Sequence, residues 1–152
     1  MREEAKDLAM EIGASPDGEA HHQGHQVRAY FTIQIPPHAA LEITQIRANN
    51  ARTQGLVIAS NEGAMAINSV ASETLTLWAN TMPTTAVVTN PSDAVLTVDL
   101  WNCWRYGNIV HAWTGHAGIV VQQGEDRVTL QCSDGIGAIE FTDFVVDLTI
   151  DV

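Results

Sequence analysis

The chain has 152 residues, 45% of them hydrophobic and 16% charged, with a net charge of -11 from 18 acidic against 7 basic side chains. A chain of this order suits one domain and buries roughly 68–70% of its unfolded surface without needing disulfide staples. Lys6 is the only lysine, and Arg2, Arg28, Arg47, Arg52, Arg105 and Arg127 are scattered singly, so no basic stripe exists to neutralise phosphates. Nucleic acid and an anionic membrane surface are therefore not expected partners.

No stretch approaches the run of about 18 apolar residues that a membrane helix needs, so no membrane insertion is expected. The first residues carry acids where a signal peptide carries basic groups, and no apolar core follows them. The expected location is cytoplasmic or within an assembled particle. Cys103 and Cys132 are too few for a disulfide framework; they pair only if their strands are neighbours, and otherwise stand as buried thiols.

In chain order, residues 3–12 carry the only helical pattern: Ala5, Leu8, Ala9 and Ile12 recur at i, i+3, i+4 and i+7, with Gly13 as a stop. A helix this short must dock on its own sheet or on another subunit to persist, and another copy of the chain is the first expectation. Residues 14–26, with the turn Ser15-Pro16-Asp17-Gly18, read as a linker arm. The expected organisation is thus a helix and arm over 1–26 and a β-sandwich domain over 27–152.

Beyond Gln26 the period becomes two. Strands are expected at 27–35, 40–48, 55–60, 64–70, 74–78, 84–89, 94–101, 109–113, 118–122, 127–132, 137–141 and 144–152, separated by turns such as Pro36-Pro37, Asn61-Glu62-Gly63 and Ser133-Asp134-Gly135. Strand starts about nine or ten residues apart, with no helix-length gap, predict an all-β, antiparallel, jelly-roll-like sandwich. In the last strand Phe144, Val146, Leu148, Ile150 and Val152 share the apolar phase, and Leu96, Val98 and Leu100 do so in 94–101. These residues are the expected core.

Two tryptophans, Trp78 and Trp101, fall on the polar phase of their strands, and Asp99 shares that phase with Trp101. Trp104, Arg105, Tyr106, His111 and Trp113 follow within a short stretch. Flat aromatic faces beside Asp and Arg suit either a subunit interface, where Trp, Tyr and Arg anchor binding, or a carbohydrate platform. The plainer alternative is that each Trp packs under a loop. The run His21, His22, His25 carries the right donors for a metal, but Gly18 and Gly24 oppose a helix that would align them, and a closed site needs four ligands.

Motifs for a nucleophile elbow, a phosphate loop, a zinc protease or a dinucleotide site are missing, and no cofactor is expected. A carboxylate pair among Asp99, Glu140 and Asp147 would have to be assembled by the fold. The expected function is a non-enzymatic sandwich acting through self-assembly as a homo-oligomer, such as a structural component of a particle or virion. The alternatives are a carbohydrate-binding module and a metal-dependent enzyme built on the histidines.

Overall fold

The computed structural model describes residues 7–152. In chain order the elements are α1 (Leu8–Ala14), β1 (Glu19–His22), β2 (His25–Arg28), β3 (Phe31–Ile35), β4 (Ala40–Ala48), β5 (Thr53–Ser60), β6 (Met65–Ile67), β7 (Val70–Ser72), β8 (Thr74–Trp78), β9 (Thr85–Thr89), β10 (Leu96–Tyr106), β11 (Ile109–His111), β12 (Gly118–Gln123), β13 (Val128–Ser133) and β14 (Phe144–Asp151). They form the antiparallel sandwich that the period-two pattern implies. The larger sheet runs β1-β2-β12-β13-β14-β4-β9-β6-β7; the smaller runs β11-β10-β5-β8, with β3 also pairing along β10.

The two inner faces meet in one core. The larger sheet contributes Leu41, Ile43, Val88, Ile119, Leu130, Phe144, Val146 and Leu148, and the smaller contributes Phe31, Ile35, Leu56, Ile58, Leu77, Leu96, Val98 and Leu100. Each such side chain removed from water stabilises the fold by about 1.5–3 kcal/mol. Six of the eight residues singled out from strand phase are buried, while Ile150 is only partly covered and packs at the core margin, and Val152, 93% exposed, is no part of the core. Both stand at the C-terminal end of β14, Val152 one residue beyond it.

Three expected strands change form. The span 27–35 is two strands in different sheets, because the chain crosses between them at Ala29 and Tyr30. Residues 64–70 belong to a tight hairpin whose turn residues, Asn68 and Ser69, both have positive φ. Residues 137–141 form no strand; they lie in the long connection from β13 to β14.

The arm is also structured. Residues 19–28 form the β1–β2 hairpin, and β2 extends the larger sheet by pairing with β12 at Ile119 and Arg28, so the expected boundary at residue 26 falls inside β2. Asp7 caps helix α1 by accepting from the Met10 N–H at 3.0 Å. Leu8 is 2% exposed and packs with Ala20, Val27 and Val120, flanked by Ile12, Ile139 and Phe141. Leu8 is thus supported from within its own chain; Ala5 and the start of the expected helix lie outside the described residues.

Candidate functional site

The outer face of the smaller sheet is where the expected binding residues gather. Register pairs Trp101 with Val57, Asp99 with Ala59, Cys103 with Gly55 and Arg105 with Thr53, while Gly55 pairs on its other side with Trp78. Directly opposed residues share a face, so Trp78, Asp99, Trp101 and Arg105 stand together. Gly55 provides the floor for Trp78: a Cβ there would sit 2.7 Å from the indole and 2.9 Å from the Cys103 sulfur. Over the same indole stands the Arg105 guanidinium, 4.5 Å from the ring centroid, a cation–π contact.

Trp113 comes to this face from the loop after β11. Its ring packs on Trp101, with centroids 4.7 Å apart and planes tilted by 33°. Its indole N–H donates to the Ala29 carbonyl at 3.1 Å. The backbone of Trp113 has φ +57, a left-handed conformation that is an outlier for so bulky a residue, yet the side chain remains 50% exposed. Strain of this kind costs of order 1–3 kcal/mol and persists only where the surroundings fix it, here the stacking partner and the indole hydrogen bond.

A cleft of about 240 Å³ opens where the chain crosses between sheets, lined by Asp17, Glu19, Arg28, Ala29, Tyr30 and Thr32. Two contacts join it to the tryptophan face: the Trp113 bond to Ala29, and the Thr32 hydroxyl donating to Asp99 at 2.5 Å. Asp17 accepts from the Ser15 hydroxyl, and that bond holds its carboxyl below the ordinary carboxylate value. Tyr30 is exposed. Val27, Ala29, Phe31, Ile33 and Ile35 alternate without interruption, so nothing in the pattern marks the crossing that creates the cleft.

The remaining expected binding residues separate. Trp104 is a correction: it is 1% exposed and packs inward, because it shares the phase of Leu100 and Asn102 rather than that of Trp101. Its ring is 6.2 Å from His111, its cross-strand partner, and lies against Gly135. Tyr106 is exposed where the β10–β11 hairpin extends, opposite exposed Ile109, and Val110 is exposed beside Arg105. Cys103 and Cys132 are free and buried, and burial raises both thiols, Cys103 to about 12.

The histidine run does not converge. His22 and His25 face each other across the β1–β2 hairpin, each with its ring 6.2 Å from Phe141, whereas His21 pairs with Gln26 on the opposite phase. Among the described residues no three His, Cys, Asp or Glu side chains group as a metal site. Asp99, Glu140 and Asp147 are likewise apart: Asp99 is on the smaller sheet, Asp147 on the larger, where it binds Thr129 and Arg127, and Glu140 is an exposed loop residue.

A different pair of acids is buried, at one end of the sandwich. Asp134 accepts from Arg52 Nε at 2.7 Å and Nη2 at 3.2 Å, from Gln54 Nε2 at 2.8 Å and from the Ile136 N–H at 3.0 Å. Asp143 accepts from the Asp134 N–H at 3.0 Å and from Asn49 Nδ2 at 2.9 Å. Burial raises the Asp143 carboxyl above the ordinary value, while the bond to Asp134 raises Arg52. With its oxygens occupied, this cluster fixes the β13–β14 connection. Next to it Asn49, Asn50, Arg52, Thr53, Gln54 and Asn80 line a polar hollow of about 270 Å³.

Among the described residues no helix is long and apolar enough to cross a membrane. No family model, no curated protein and no solved structure matches the chain, so the reading of these surfaces rests on their own geometry.

Proposed function

We propose that the protein is a non-enzymatic β-sandwich that works by associating with further copies of itself, as a building block of a particle such as a virion. The observation that carries this reading is the end of the β10–β11 hairpin. Tyr106 is 61% exposed, Ile109 63% and Val110 52%, and among the described residues β11 pairs with β10 alone in the smaller sheet. An unpartnered edge flanked by large apolar side chains is the surface that a second strand of the same kind covers, with main-chain hydrogen bonds for affinity and the side chains for register. Arg105 at its border supplies the cation that interfaces favour.

The test is the mass in solution by light scattering across a concentration series. Assembly through this hairpin predicts an oligomer in the parent chain and a folded monomer in Ile109→Asp, since a buried unpaired carboxylate at the contact costs several kcal/mol. A parent chain that stays monomeric at high concentration overturns the reading. An Ile109→Asp chain that assembles as before moves the contact elsewhere.

A further inference from the structure

We infer that the cleft at the sheet crossing, with Trp113 bonded to the Ala29 that lines it, is a binding site for a neutral carbohydrate chain, a role separate from the self-association proposed for the hairpin. Three observations converge. Trp113 pays for an unfavourable backbone conformation and still leaves half of its side chain open, which packing alone does not require. Its orientation is locked from two sides, by Trp101 at 4.7 Å and by the Ala29 carbonyl at 3.1 Å. Ala29, to which it is bonded, lines a cleft of about 240 Å³ that offers both kinds of hydrogen-bonding group: carboxylate acceptors on Asp17 and Glu19, and donors on Arg28 and Tyr30.

A pyranose matches this division. One face of the ring presents C–H groups, which an indole covers, while its hydroxyls each donate and accept, as a mixed set of carboxylates and a guanidinium demands. The second aromatic, Tyr30, is half exposed on the cleft wall and gives a further surface for the next sugar. Trp78 is not part of the platform, because Gly55 lies under its ring and Arg105 over it.

Charge narrows the class. Asp17, Glu19 and Asp99 oppose the single guanidinium of Arg28 here, and the whole chain carries -11. A uronic, sialylated or sulfated chain would be repelled at long range, so the ligand is an uncharged glycan.

The test is affinity electrophoresis of the full chain in native gels containing laminarin, barley β-glucan, arabinoxylan or galactomannan, with heparin as the anionic comparator. The expected result is retardation by at least one neutral polysaccharide and none by heparin. Trp113→Gly removes the ring while suiting the left-handed backbone, so it keeps the fold, checked by an unchanged thermal transition. It should weaken binding by about tenfold or more, the scale of an interface hot spot. Tyr30→Ala, at an exposed position, is the second variant should the first lose its fold, and it too should weaken binding. The Ile109→Asp chain should bind as the parent does, which separates this site from self-association. Failure of all four neutral polysaccharides to retard the parent, retention of binding in a folded Trp113→Gly chain, or retention in Tyr30→Ala if that first variant unfolds, overturns the inference.

Discussion

At one end of the sandwich Asp134 is fully buried and surrounded by donors, whereas on the outer face of the smaller sheet Trp113 is half exposed and held in a conformation its backbone resists. Each breaks the rule that charged groups stay wet and large apolar groups stay dry. The resolutions differ. The carboxylate is compensated on every side and leaves nothing over for a ligand. The indole is held by Trp101 and Ala29, and half of the residue remains exposed. An unusual residue whose partners are all internal is architecture, and one whose partners are incomplete is a candidate for recognition.

The comparison is broken most forcefully at the buried end. Arg52→Ala strands the Asp134 carboxylate without its cation and should lower unfolding free energy by about 3–5 kcal/mol in a urea titration, the cost of an uncompensated buried charge. If the loss is near zero, the cluster is not the structural clamp described above. On the aromatic side, Gly55→Ala puts a methyl into the space between Trp78 and Cys103, 2.7 Å from the ring. Overpacking of this order costs about 1–3 kcal/mol. The displaced indole should also shift its fluorescence.

The backbone of Trp113 sharpens the contrast further. Trp113→Gly should be more stable than Trp113→Ala by about 1 kcal/mol, because only glycine accepts positive φ without a steric cost. Equal stabilities in thermal melts would show the conformation to be unstrained.

The smallest effect is the pH response of Asp143. Its carboxyl titrates above the ordinary value of 3.8 in the folded chain, chiefly because it is buried. Between the unfolded and folded values the native state therefore holds a proton that the unfolded chain has released. The contribution of this group to stability is present in acid and declines as pH rises through that interval. Asp143→Asn should remove this part of the slope when unfolding free energy is followed from acid to neutral pH.

How much of this was legible in the sequence varies with the physics behind each part. The inward rows of β10 and β14 follow from the strict alternation of Leu96, Val98 and Leu100 and of Phe144, Val146 and Leu148, because a pleat sends every second side chain to one side. Trp78, Trp101 and Asp99 could be placed outward by the same rule. Trp104 was separable from them only by its phase, since composition groups it with its neighbours. The cleft was hidden because Ala29 and Tyr30 keep the alternation of their flanks while the chain changes sheets. The Asp134–Arg52 pair is a contact across 82 positions, which no local pattern encodes. The β1–β2 hairpin was masked by its polar, histidine-rich composition, which resembles an arm.

One feature of the topology bears on how the chain reaches this state. β14 (Phe144–Asp151) lies between β13 and β4 in the larger sheet, and Leu41 pairs with Ile150 across most of the chain. The two halves of that sheet, β1-β2-β12-β13 on one side and β4-β9-β6-β7 on the other, are joined through this strand alone. Closing so long a loop must be completed before its contacts repay the entropy, which places folding in the slow range for small domains, about milliseconds to seconds. Until β14 inserts, Leu41, Ile43 and Leu130 belong to two open sheet edges facing solvent, so the interval before that step is when the chain is most prone to pair with the wrong partner.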